Sequence, residues 1–573
     1  MRQIKAVQRT FRSLKKKWQK QSKKHLIQDI FVAAAFAGAL PLLAFTKADA
    51  INIRPIEAAP IVALYALTAV AVFIVLWPIE SNRGVRLTSS IVVSYIFLVN
   101  FADRFDLVKQ FAAVFLPEGG IGALIAPLAF AVAVLVGVLL LVRLADKILT
   151  NITHNTDWLR GVLTVMALFV SGYLLLGFIN SVRKYSQYYS YKNTPSLTAD
   201  GAKQGDRDIY YIVFDRYPSQ TSLANYYNFD NSGFIEKLRG QGFTIRDNAY
   251  SNFQFTSPSV SSTLNMDFHT DLLKNFAGKP YYSELPYQAE MQNSNAVNLL
   301  KKSGYEIYNV GSWWGSTKVL DGSKPLYVSP ELTLLGKKYI PTEYQGNMIK
   351  RSVWGPLLSL NLSFGGLVLA GVQEQGLRDN FLRQLEALKA ISATKSDKPR
   401  FIFAHILNPH PDYVFTADGN KPSYDITDSD NDLPRAIKLT NQLQFTNRMI
   451  EDLVTSLKKS EKQPVIAIQA DEGPYPQKTD FTAFTKATDD ALREKTGILA
   501  AYYLPDMPEE KKTELNSSVN LFRFLLNNYM GSSLPYLPDC HFVFDNATPY
   551  SYKDLGERIT GQPTDPKCAE LVK

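Results

Sequence analysis

Two apolar stretches in this chain of 573 residues end in carboxylates. DIYYIVF (Asp208 to Phe214) runs into Asp215, in IVFDRYP, and PVIAIQA (Pro464 to Ala470) runs into Asp471 and Glu472, in IQADEGPYP. Between them, RFIFAHILNPHPDYVF supplies His405 and His410. A single Asp after a strand often does no more than cap the next helix. Two strands ending in carboxylates at one sheet edge are different, because the charges repel unless a cation lies between them. Such a pair predicts a divalent-metal site. His410 follows the strand and adds a side chain that can transfer a proton. His405 lies on the strand itself, where alternation leaves burial and a catalytic role equally open.

These residues need a scaffold that brings strand ends together. DIYYIVF, YEIYNVG (Tyr305 to Gly311), RFIFAHIL (Arg400 to Leu407), PVIAIQA and GILAAYYLP (Gly497 to Pro505) read as core strands. Leu377 to Ala393 and Ala436 to Leu457 carry apolar residues at helical spacing. Strands alternating with helices predict a mainly parallel sheet with helices on its faces. Ligands of such sheets bind beyond the carboxyl ends of the strands, where the carboxylates stand.

The first third of the chain is of another kind. Apolar runs cover approximately Ile30 to Thr46, Pro60 to Pro78, Thr88 to Ala102, Ile121 to Val142 and Gly161 to Asn180. Most approach the roughly 20 residues that cross a bilayer, and the third, which ends in Asn100, Asp103 and Arg104, is the shortest. A cleavable signal peptide does not fit a basic arm followed by several apolar runs. With the N-terminus in the cytoplasm, Arg83, Arg86, Arg143, Lys147 and Arg160 also fall inside, and an odd number of spans places everything after Asn180 outside. Tyr185, Tyr188, Tyr189 and Tyr191 then mark the outer interface and the start of a linker. The expected divisions are a basic arm over 1–26, a transmembrane bundle over 27–181, a linker over 182–206 and an extracytoplasmic domain over 207–573.

The net charge of +9 does not indicate nucleic acid. Ten basic residues, from Arg2 to Lys24, precede the first acidic one, and the remainder is almost neutral. A basic block ahead of an apolar helix is a cytoplasmic, lipid-facing signal. The only cysteines, Cys540 and Cys568, are expected to form one disulfide in an oxidising compartment.

The chain resembles the sulfatase-like branch of the alkaline phosphatase superfamily, specifically membrane-anchored relatives of lipoteichoic acid synthase. The resemblance runs from roughly Asp208 to Tyr552 through DIYYIVFDRYP, FDNSGFIEKLRGQGF, NAYSNFQFTSPSVSSTLNM, VGSWWGSTK, HILNPHPDYVF, DEGPYP, GILAAYYLP and NLFRFLLNNYMGSSLPYLPD. It implies an α/β/α alkaline-phosphatase-like soluble domain beside an α-helical membrane bundle of about five spans. By matching motif it makes Asp215, Thr256 and Asp471 metal ligands and Thr256 the nucleophile. Thr256 also precedes Ser257 and Pro258 at a helix opening, where free amides stabilise an alkoxide and a phosphate. The resemblance assigns His410 to holding the substrate's phosphate or glycerol, and Trp314 and Lys318 to the pocket wall. His405 is carried with them as a substrate-binding candidate.

One position departs from the pattern, which has Asp-His where this chain has Asp471-Glu472. Glutamate can bind a hard cation through oxygen, which makes Glu472 a fourth expected metal ligand, and oxygen ligands favour manganese or magnesium over calcium or zinc. The resulting expectation is a metal-dependent phosphotransferase or phosphodiesterase acting at the membrane on a lipid-linked or envelope polymer substrate. The alternative is a noncatalytic module of the same fold that serves as a binding or scaffold protein.

Overall fold

The computed structural model describes residues 23–47, 50–80, 82–101, 121–153, 158–359, 362–364, 367–373, 376–476, 479–480 and 482–572. The basic arm from Arg2 to Lys20 and the Asp103-Arg104 end of the third apolar run lie outside them. The chain divides into two compact units, Met1–Gln187 with Glu331–Gln373 and Tyr188–Pro330 with Glu374–Lys573.

The first unit contains helices α1 (Lys23–Lys47), α2 (Pro55–Leu76), α3 (Arg83–Leu98), α4 (Ile121–Thr153) and α5 (Trp158–Ser190). Among the described residues, three stretches are long and apolar enough to cross a membrane: His25–Thr46, Pro55–Leu76 and Arg160–Ser190. Pro55 at the first position of α2 suits a turn whose amides have no internal acceptor, and Glu57 reaches back to the Arg54 amide. Small residues at Ala33, Ala37, Ala58 and Ala69 let the helices approach around Tyr65 and Phe73. Toward the start of α1, buried Asp29 pairs with Arg160 at 2.8 Å and Arg83 at 3.6 Å.

Residues 331–373 come from the middle of the sequence stretch expected to form the soluble domain, yet they group with these helices. They form two short helices, Glu343–Arg351 and Trp354–Ser359, and a four-stranded antiparallel sheet. Hydrogen bonds tie this insert along α2. Gln345 donates to the Glu57 carbonyl at 3.1 Å, the Tyr65 hydroxyl donates to the Met348 carbonyl at 2.9 Å, and the Trp354 indole donates to Thr68 Oγ1 at 2.9 Å.

The second unit is built on a seven-stranded sheet of β1 (Ile209–Phe214), β2 (Phe243–Ile245), β3 (Glu306–Val310), β4 (Lys324–Tyr327), β5 (Arg400–Ile406), β6 (Val465–Gln469) and β7 (Ala500–Tyr503), in the order β2-β7-β6-β1-β5-β3-β4. Strands β6, β1, β5, β3 and β4 are parallel, β7 pairs antiparallel with β6, and β2 pairs antiparallel with β7 at the edge, so the sheet is mixed. Strands β2 and β4 were not evident in the sequence; one is three residues long and the other is an edge strand interrupted by Pro325. Helices α6 (Thr256–Asn265), α7 (Leu377–Ser392) and α8 (Arg435–Leu457) each bury a face in this unit.

Register decides what meets at the sheet edge. Val213 pairs with His405 on one side and Gln469 on the other, so Asp215 and Asp471 each lie two residues past one common level. Toward the C-terminus, Cys540 and Cys568 are bonded at 2.05 Å within an aromatic cluster that includes Phe253 and Phe542. Helix α5 continues through Ser190, so Tyr185, Tyr188 and Tyr189 are helical. Tyr188 is buried and stacks on Phe276 at 5.1 Å.

Candidate active site

Asp215 and Asp471 leave the sheet side by side, and His405 reaches them from the end of β5. One donor atom from each lies within 4.8 Å of the others, and all three residues are buried. Asp215 Oδ1, Asp471 Oδ2 and His405 Nε2 have no hydrogen-bond partner, although buried polar atoms normally do. Three converging orphan donors, two of oxygen and one of nitrogen, fit a divalent cation. Burial pushes the Asp215 carboxyl well above its ordinary range, and Asp471 adds to the effect; Asp471 is raised by burial too. Burial lowers His405 to about 3, which leaves it neutral and able to ligate.

The other nitrogen of His405, Nδ1, stands 2.8 Å from Thr317 Oγ1, which is 3.1 Å from Ser312 Oγ. That chain fixes the ring, and Trp314 packs edge-on against it at 5.6 Å. Thr256 opens α6 and its hydroxyl is bonded to the Asp471 carboxylate. Asp215, Thr256, Trp314, His410, Glu472 and Tyr475 are among the residues that line one cavity of about 340 Å³.

Glu472, expected as a fourth oxygen ligand, meets two cations through one carboxylate oxygen, while its Oε2 is buried with no hydrogen-bond partner. Its Oε1 is 3.0 Å from Arg216 Nε and 2.9 Å from Lys495 Nζ, with both ends of the lysine pair buried. Tyr475 lies between the same two cations, with Arg216 4.2 Å and Lys495 3.7 Å from its ring centroid. Two cations therefore balance much of the charge of three carboxylates. Burial lowers Lys495 to about 8, against the attraction of Glu472. Gly473 admits this arrangement, because a Cβ there would meet the Glu494 carbonyl at 2.2 Å. Arg216 adopts a left-handed backbone with φ of 59°, which turns its amide to Asp471 Oδ1 at 3.1 Å.

The chain matches the Sulfatase family model over residues 207–529, more than half its length. It belongs to the sulfatase family. That family places it among enzymes acting on sulfate or phosphate esters. The C-terminal periplasmic domain of EcEptC from Escherichia coli is similar in structure, with 11% identity, TM-score 0.41, and coverage of 65% of this chain and 100% of that one. Lipooligosaccharide phosphoethanolamine transferase A from Neisseria meningitidis, an integral membrane protein, shares 13% identity with TM-score 0.36, over 92% of this chain and 94% of that one. A putative sulfatase from Bacteroides thetaiotaomicron shares 12% identity with TM-score 0.35, over 63% and 76%. No curated protein matches the chain.

The remaining candidates take different places in this sulfatase-family domain. His410 lies at the cavity, its Nδ1 bonded to the Pro411 carbonyl and its amide 3.2 Å from the Asp215 carbonyl. Burial, and then Arg216, hold it well below the usual histidine range. Lys318 is buried and lies outside the residues that line the cavity. Arg216, Thr317, Tyr475 and Lys495 were not singled out from the sequence. Arg216, Thr317 and Tyr475 stand inside the quoted motifs, whereas Lys495 stands outside them.

Proposed function

We propose that this chain is a membrane-anchored, metal-dependent phosphotransferase that moves a phosphoryl-linked group from a lipid donor to an acceptor in the cell envelope. The observation that carries the reading is the Thr256 hydroxyl bonded to Asp471 beside three orphan donor atoms. The N-terminus is cytoplasmic, and the domain after Asn180 faces outward.

Asp215, Asp471, His405 and the Thr256 hydroxyl would hold the metal. It would supply charge that favours the Thr256 alkoxide and offsets negative charge growing on the phosphoryl oxygens. The oxygen-only ligand set expected from sequence gave manganese or magnesium, whereas the nitrogen of His405 makes zinc an equal fit.

Thr256 Oγ bonds to phosphorus as the phosphorus–oxygen bond to the donor alcohol breaks. The hydroxyl proton passes to Asp471 and leaves with the departing alcohol. In the second half, an acceptor hydroxyl attacks the phosphothreonine and gives its proton to His410, whose Nε2 is bare when Nδ1–H donates to Pro411. That proton returns to Thr256 as the new ester leaves. Arg216 and Tyr475 at the cavity bind the anionic group.

Intact-protein mass spectrometry after incubation with a phospholipid donor tests this. A mass increase mapped to Thr256, absent from Thr256→Ala and dependent on divalent metal, is expected. Metal-free protein with no adduct under any divalent cation would leave the noncatalytic reading in its place.

A further inference from the structure

The first unit contains an apolar groove of about 480 Å³ formed along α2 by residues including Leu64, Leu67, Ala71 and Val75, with Phe97 of α3 and Leu357 of the insert. We infer that this groove holds one acyl chain of a membrane phospholipid. The inference rests on the membrane location of α2 and is independent of the chemistry at Thr256.

Depth is the first argument. Leu64 to Val75 lie roughly 14 to 30 Å from the first residue of α2 at about 1.5 Å per residue, inside a hydrocarbon layer of roughly 30 Å. Helix α3 has 16 residues and ends at the level of Tyr65, whose hydroxyl also lies 3.2 Å from the Leu98 carbonyl. A helix end at that depth leaves carbonyls that hydrocarbon cannot satisfy. The insert supplies a donor, since the Val353 amide binds the Phe97 carbonyl at 2.6 Å. The insert therefore enters the nonpolar layer and makes the groove's third wall.

Wall chemistry is the second argument. Thr68 is the hydroxyl-bearing residue of the lining, and its oxygen donates to the Leu64 carbonyl at 2.8 Å while accepting from the Trp354 indole. A polar ligand would find these groups already engaged. The groove opens sideways, where Leu67 is 65% exposed and Val75 56% exposed. Its volume lies within the roughly 300–1,000 Å³ of ordinary ligand pockets.

The test uses the full chain in nanodiscs of phosphatidylcholine and phosphatidylglycerol, the latter carrying a diazirine at one acyl terminus. Crosslinks are expected to be several-fold enriched on Leu64 to Val75 and Val353 to Leu357 over the outward face of α5. Phe169 on that face is 75% exposed and would dominate if lipid contact merely followed exposure. Ala71→Trp, which fills the groove from an exposed position, should abolish the enrichment and leave labelling of α5 unchanged. Labelling proportional to exposure, labelling indifferent to Ala71→Trp, or crosslinks to a second copy would each overturn the inference. If Ala71→Trp misfolds, the label map of the unaltered chain decides alone. Loss of the phosphothreonine adduct would not affect this result.

Discussion

The hydroxyl of Thr317 lies 2.8 Å from Nδ1 of His405, and the opposite nitrogen of that ring faces Asp215 at 3.8 Å. Thr317 is thus a positioning residue for a metal-facing imidazole. Thr317→Val should weaken divalent-metal binding about 10- to 100-fold, as losses of such supporting bonds do. Thr317→Ser, which keeps the hydroxyl, should restore it. Titration calorimetry against a competing chelator reads both, and equal affinity in the two variants would remove the role.

Lys495 and Glu472 make a second test, because both are buried and they pair at 2.9 Å. Lys495→Met leaves Glu472 with Arg216 alone and should cost about 3–5 kcal/mol of stability. Adding Glu472→Leu to that variant should recover most of the loss, since an apolar pair needs no compensation. Thermal unfolding of the detergent-solubilised chain measures each. A double variant less stable than Lys495→Met would show that Glu472 has a structural partner beyond the two cations.

The disulfide closes a loop with a sequence separation of 28. Replacing both cysteines by serine should destabilise the second unit by about 3 kcal/mol, mainly by freeing the unfolded chain. The expected readout is a lower Tm with metal affinity unchanged, because neither cysteine is among the residues that line the cavity.

Topology is open to direct labelling. Ser196→Cys puts an exposed thiol after α5, and a membrane-impermeant maleimide should reach it on intact cells. Labelling only after permeabilisation would place the domain in the cytoplasm and exclude an envelope acceptor.

Asp215 and Asp471 were legible because each ends a continuous apolar strand, and a strand end in a parallel sheet has a known place. Their common level was not written locally; it depends on Val213 pairing with both His405 and Gln469. His405 shows the limit of alternation, which left its two faces undecided until the register placed its ring beside the carboxylates. Glu472 shows another limit. Its residue type suits a metal, and nothing local shows that Arg216 and Lys495, distant in sequence, meet the same carboxylate, because which cation reaches it is set by packing. The insert was the largest surprise. WGPLLSL is too short to read as a span, and strands such as KKY are too short and polar to read as a sheet, so its place against α2 had no sequence signature.

That insert orders biogenesis. A ribosome makes α1 to α5 first, but the Val353 amide that caps α3 emerges only after β1 to β4 have been synthesised, and β5 to β7 follow later still. Maturation of the anchor is therefore interleaved with that of the catalytic sheet. A nascent chain stalled or truncated anywhere between 191 and 330 would carry all five helices with an uncapped α3, a defect that quality-control proteases recognising exposed polar backbone in the bilayer could act upon.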